Sequence, residues 1–258
     1  MPLTPIASAA ARGELQAVRW MATDLDGTLT QQGKLTATLL QALESLAQAG
    51  IAVLIVTGRS AGWVSGLVRY LPITGAIAEN GGLLHAAERD RPAILAPFPN
   101  LDRHRQQLAD AFRALQAHYP ELAESADNRF RMTDWTFDVA GLSPERLQAL
   151  GQACREWGWE FTYSTVQCHI KPPWPDKATG AWQAIERFSS QVAPHQVLAV
   201  GDSPNDDPLF DAEAFPLSAG VANIRAYTDA LRHHPAYITT AAEGAGFSEL
   251  ARLLAGQA

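Results

Sequence analysis

The stretch VRWMATDLDGT, residues 18–28, decides the fold. A short, largely apolar run passes directly into an acidic, glycine-containing loop, the pattern of a buried strand that ends in a polar turn. Downstream, Leu35, Leu39, Leu40, Leu43 and Leu46 recur at helical spacing up to Gly50, and IAVLIVTGR follows at 51–59 as a continuous run rich in β-branched residues. This reads as a helix, a terminating glycine and a strand buried on both faces. A helix at about 61–70 and a short strand in AIAEN, residues 76–80, extend the alternation. Repeated strand–helix units imply a parallel sheet covered by helices.

From about residue 85 to 171 the pattern changes. A long amphipathic helix is expected at 102–119, a strand at 129–139, a helix at 144–157, and then two short strands in WEFTYS and QCHIK with no crossover helix between them. Adjacent strands of that kind indicate an antiparallel sheet. The first grammar resumes with a helix at 177–190 and the strand VLAVGD. The expected fold is therefore α/β, a doubly wound, Rossmann-like core of residues 1–84 and 172–258 carrying an inserted α+β cap at 85–171.

Composition narrows the function classes. Among 258 residues, 47% are hydrophobic and 18% charged, enough apolar material for a true core. The formal charge of −7 repels a nucleic-acid backbone, so an anionic substrate must be met by local positive charge or a metal. Cys154 and Cys168 form neither a disulfide framework nor a zinc pattern and read as reduced thiols. No run approaches the ~18 apolar residues of a membrane span, and the first 17 residues, interrupted by Pro5, Arg12 and Glu14, lack a signal-peptide core and read as a partly disordered arm. A cytoplasmic location is expected.

Three of the inferred core strands end in polar loops: DLDGT, TGR and GDSPNDD. In an open parallel sheet those carboxyl ends share one edge, where ligand sites form. Asp24, Asp26, Thr28, Thr57, Lys177, Asp202, Asn205 and Asp206 should thus converge, and their carboxylates would repel one another without a cation among them. The donors are hard oxygens and no His or Cys belongs to the set, which favours Mg²⁺.

DLDGT at Asp24, VTGRS at Val56, Lys177 and GDSPNDD at Gly201, in that order, resemble the four signatures of the haloacid dehalogenase superfamily. The insertion and the AENGG segment at Ala78 further resemble its branch with a type-C2 cap, subfamily IIB, which includes Cof-type and sucrose-phosphate phosphatases. The resemblance implies a phosphoric monoester hydrolase acting on a small phosphate ester, such as a sugar phosphate. In it Asp24 is the nucleophile that forms an aspartyl-phosphate. Asp26 is the acid and base, and its backbone carbonyl, Asp24 and Asp202 bind Mg²⁺. Thr57, Gly58, Lys177 and Asn205 hold phosphate oxygens, with Asp206 and Thr28 behind them. A phosphomutase of the same superfamily and a silent sugar-phosphate-binding module are the alternatives. The presence of Asp24, Asp26 and Asp202 speaks against the silent module.

Within the insertion, alternating polar residues read first as a solvated sheet face. Arg129, Arg131, His169 and Lys171 are the candidates there for substrate contact.

Overall fold

The computed structural model describes residues 3–256. In chain order the elements are β1 (Thr4–Pro5), α1 (Ile6–Ala11), β2 (Trp20–Thr23), α2 (Ala37–Gln48), β3 (Ala52–Val56), α3 (Ala61–Tyr70), β4 (Gly75–Ala78), β5 (Leu83–Ala86) and β6 (Ala93–Ile94). There follow α4 (Leu101–His118), β7 (Trp135–Asp138), α5 (Pro144–Glu156), β8 (Glu160–Tyr163), β9 (Gln167–Lys171), α6 (Lys177–Phe188), β10 (Val197–Gly201), β11 (Ser218–Gly220), β12 (Tyr237–Ile238) and α7 (Glu243–Leu254).

Nine strands form one sheet in the order β1-β12-β11-β10-β2-β3-β4-β5-β6, parallel from β1 to β4 and antiparallel across β4, β5 and β6. Alternation decides which helix layer each side chain meets. Met21, Val53, Ile55, Leu198 and Val200 pack into a core with Leu39, Leu43, Val64 and Phe247. Their neighbours Trp20, Ala22, Leu54, Val56, Val197 and Ala199 pack on the other face with Ala181 and Ile185 of α6. A strand buried on both faces can carry no charge until it leaves the sheet, so the first polar residues appear at the strand ends.

Because β2 lies between β3 and β10, the chain leaves β2 for one neighbour and returns late in the sequence as the other. This is the switch point at which a crevice opens beyond the strand ends. The Asp24 amide still donates to the Val200 carbonyl at 2.9 Å, and the Thr57 amide to Ile77 at 2.9 Å, so both loops start from fixed backbone.

A second sheet, β7-β9-β8, is antiparallel. Phe137, Cys168 and Ile170 face α4 and α5 and pack with Leu108, Phe112, Leu115, Leu147 and Leu150. The alternate residues Thr136, His169 and Lys171 are buried as well, so the opposite face is covered by polar contacts and not solvated as alternation suggested.

The structure corrects three further expectations. Residues 3–17 are no disordered arm: β1 pairs with β12, and Ile6 and Ala9 of α1 are buried in the main core. Residues 128–130 form a 3₁₀ turn, so β7 begins only at Trp135 and neither Arg129 nor Arg131 is on a strand. A boundary at 84/85 would cut through β5, whose hairpin partner β6 still belongs to the large sheet. We therefore propose that the cap begins after this hairpin, near residue 100.

Candidate active site

The loop after β2 turns sharply at Gly27, whose φ is +80°. A Cβ there would also lie 2.4 Å from Asp202 Oδ2, so only glycine lets the two loops approach. The approach brings Asp24, Asp202 and Asp206 together, each buried, with ligand oxygens of all three within 4.8 Å of one another.

Lys177 opens α6, and its Nζ donates to Asp24 Oδ1 and Asp206 Oδ1, both at 2.6 Å. Asp176 caps the helix by accepting from the Thr179 amide at 2.8 Å, which fixes where α6 starts. Asp206 is held on its other oxygen by the amides of Asp202 and Ser203, at 2.9 and 3.1 Å. Asp202 accepts from Thr28 Oγ1 at 3.1 Å and from Asn223 Nδ2 at 2.8 Å. Asp24 Oδ2 accepts no hydrogen bond among the described residues, and Asp24 lines a cavity of about 10 Å³.

One ammonium cannot neutralise this acidic group. Burial, then Asp206, pushes Asp24 up to about 7 in spite of Lys177, and burial with the Asp24 charge pushes Asp202 well above the carboxylate range. Lys177 shifts upward because its two carboxylates outweigh the cost of burying it. Three buried, oxygen-only donors, with the proton affinity of Asp24 and Asp202 raised, suit a hard divalent cation.

Thr57, Gly58, Arg59 and Asn205 also border the cavity, together with Asp26. The Thr57 hydroxyl accepts from the Arg59 amide at 3.1 Å. Asn205 is tied up within the protein: its Oδ1 accepts from Ser203 Oγ at 2.7 Å and its Nδ2 donates to Asn80 at 3.1 Å. Both carboxylate oxygens of Asp26 are taken by Arg59, whose Nε and Nη2 each donate at 2.7 Å.

The second sheet contributes Ser164, Val166, Gln167 and His169 to the cavity wall. Of the four candidates in the insertion, only His169 reaches it. His169 packs so closely over the loop that follows β3 that a Cβ on Gly58 would meet its ring at 2.9 Å. Its Nδ1 pairs with Asp134 at 2.8 Å, and burial, opposed by Asp134, lowers its proton affinity. Arg129 is exposed and lies over the Phe130 ring at 4.7 Å. Arg131 is buried but spent on Asp127, Asp134, Gln167 and the Gly58 carbonyl. Lys171 donates to the Pro172 carbonyl at 2.7 Å, away from the cavity.

Sequence reasoning passed over Glu79, Arg59 and Asn223. Glu79 is buried at φ +55° and accepts from the amides of Ala61, Met132 and Thr133 and from the Thr133 hydroxyl, so one carboxylate joins the start of α3 to the chain entering β7. Arg59 stood inside a quoted motif and its charge beside an acidic loop was the available signal. Asn223 follows β11 in a 3₁₀ segment with no pattern to single it out.

Residues 21–122 match the family model described as haloacid dehalogenase-like hydrolase. The chain is 26% identical to a protein of Methanothermobacter thermautotrophicus named phosphoglycolate phosphatase, over 93% of this chain and 100% of that one. It is 28% identical to phosphoglycolate phosphatase 1 of Saccharolobus solfataricus, over 93% and 97%. Among solved structures, a Thermoplasma acidophilum protein superposes with a TM-score of 0.71 at 21% identity, over 92% and 98%. The C-terminal domain of Candida albicans trehalose-6-phosphate phosphatase gives 0.70 at 14% identity, over 99% and 98%. In its strand order, its four loops in sequence and these likenesses over nearly the whole chain, the protein is similar to the haloacid dehalogenase-like hydrolases.

Proposed function

We propose that the protein is a Mg²⁺-dependent phosphatase that hydrolyses a small phosphate monoester through an aspartyl-phosphate on Asp24. The observation that carries this reading is the state of Asp24: Lys177 fixes Oδ1 while Oδ2 is left without a donor at the cavity. A carboxylate oriented by one oxygen and free on the other is arranged as a nucleophile. Asp24 and Asp202, with the backbone of Asp26, would hold the metal. When bound, it supplies positive charge against the transferring phosphoryl group.

Oδ2 attacks phosphorus as the bond to the ester oxygen breaks, and Lys177 neutralises charge on the phosphoryl oxygens. Asp26 gives its proton to the departing alkoxide. As a carboxylate it then takes a proton from the water that attacks the acyl phosphate, which releases phosphate and restores Asp24. In this arrangement Asp26 is engaged by Arg59, so it must let go of that side chain at least on one oxygen to serve as the acid.

Room for about one water separates the two sheets' contributions to the cavity. Substrate access therefore requires the turn at 164–167 to withdraw, and its return would exclude water during attack. We assign the cap at about 100–171 this role, and a cytoplasmic setting to the enzyme. Among the described residues no helix is long and apolar enough to cross a membrane. The names of the relatives, phosphoglycolate on one side and trehalose phosphate on the other, bracket the candidate substrates between short acids and sugars. Release of phosphate from an aryl phosphate with Mg²⁺, lost on chelation and in Asp24→Asn, tests the reading. Full activity after exhaustive chelation would refute it.

A further inference from the structure

Arg59 has a place that phosphate chemistry alone does not explain. Its Nε and Nη2 hold Asp26, its guanidinium lies 5.0 Å from the centre of the Trp63 ring, and its Nη1 makes no hydrogen bond among the described residues. It borders the cavity and keeps about a quarter of its side-chain surface exposed. The other cations nearby are committed: Lys177 to Asp24 and Asp206, Arg131 to Asp127 and Asp134, and Lys171 to a carbonyl outside the cavity. Arg59 is thus the one cation at the cavity with donors to spare among the described residues.

The wall opposite Asp24 is made of Ser164, Val166, Gln167 and His169. These side chains are small or uncharged, and no six-membered aromatic ring is among them. A hexose offers a face of C–H bonds and a circle of hydroxyls, and this wall supplies neither a stacking surface nor a set of acids to match them. A short leaving group with a negative charge fits both the narrow space and the spare guanidinium edge.

We propose that Arg59 is a specificity-determining residue that receives a carboxylate of the leaving group, so that the site takes short phosphorylated hydroxy acids. The inference rests on the phosphatase reading above. A planar guanidinium binds carboxylates through paired N–H donors, and the substrate's carboxylate competes for the fork that Asp26 now fills. As Arg59 turns to the substrate, an oxygen of Asp26 loses its donor and is freed toward the leaving group. Recognition of the acid and release of the catalytic acid then run through one side chain.

The test compares 2-phosphoglycolate with ethyl phosphate, which replaces the carboxylate by a methyl group, in wild type and Arg59→Ala, with Mg²⁺. The expected result is a wild-type preference for phosphoglycolate in kcat/KM, cut by roughly tenfold to a hundredfold in the variant, the worth of a charge-assisted pair. The loss should fall largely on KM for phosphoglycolate. Equal losses on both esters, or no wild-type preference, would overturn the proposal and leave Arg59 as a positioning residue for Asp26. If wild type hydrolyses aryl or sugar phosphates but neither probe, the proposal fails while the phosphatase reading stands; if it hydrolyses no monoester, both fail. Should Arg59→Ala not fold, Arg59→Lys carries the same comparison, because it keeps the charge and loses the fork.

Discussion

Lys177 Nζ sits 2.6 Å from Asp24 Oδ1 and 2.6 Å from Asp206 Oδ1, with all three side chains buried. Its ammonium therefore serves two functions at once: it balances charge that the fold has removed from water, and it holds one oxygen of Asp24 so that the other, the attacking atom of the proposed reaction, is left without a donor. Lys177→Met removes the cation and keeps most of the volume. Breaking a buried pair from one side costs about 3–5 kcal/mol, so unfolding by urea should move to lower concentration by the corresponding amount. Mg²⁺ should recover part of that stability but not the turnover, which is expected to fall by at least about 10².

The same carboxylates make stability depend on pH in a direction that can be stated. Asp24 is raised to about 7 in the folded protein, against about 3.9 in an unfolded chain. The metal-free fold thus binds this proton more tightly than the unfolded chain. The stabilisation from it is complete below about pH 4 and is lost as pH rises through about 7, and Asp202 shifts in the same sense. A divalent cation favours the ionised forms. The rise in Tm on adding Mg²⁺ should accordingly grow as pH increases from 5 to 8. A rise that is constant or largest at pH 5 would show that these carboxylates do not bind the metal.

How far the site was legible in the sequence depends on where each residue sits. Asp24, Thr57 and Asp202 come at the ends of strands whose largely apolar run marks burial on both faces, so the change to polar residues itself locates the sheet edge. The cap was harder to read. His169 points to the site because Cys168 and Ile170 on either side point into the small core, and a single sequence does not say whether the polar face of such a strand meets water or protein. Arg131 and Lys171 carry the same charge as a substrate ligand would, yet are consumed by internal partners. Glu79 lies in a buried, left-handed turn that local preferences disfavour for it, and only the contacts with Met132 and Thr133 give it a reason.

Those contacts lead to a prediction about the joint between the two sheets. Glu79→Ala strips an acceptor from the buried Ala61 and Thr133 amides and from the half-buried Met132 amide. Several unsatisfied donors should cost roughly 3 kcal/mol or more. Glu79→Gln keeps one carbonyl oxygen and should lose less. Amide hydrogen exchange should become faster at residues 131–134 before the rest of the molecule is affected; exchange that rises uniformly would mean that Glu79 supports the fold as a whole and not this joint.

The most direct measurement is to trap the phosphorylated protein. In Asp26→Asn the proposed general base for the second step is gone, while an aryl leaving group needs little help to depart in the first. Rapid mixing of that variant with an aryl phosphate and Mg²⁺ should give a burst of up to one equivalent of aryl alcohol. Mass spectrometry of the quenched protein should then place one phosphoryl group on Asp24. A phosphoryl group on another residue, or turnover by Asp24→Asn within tenfold of wild type, would contradict the assignment of Asp24 as the nucleophile.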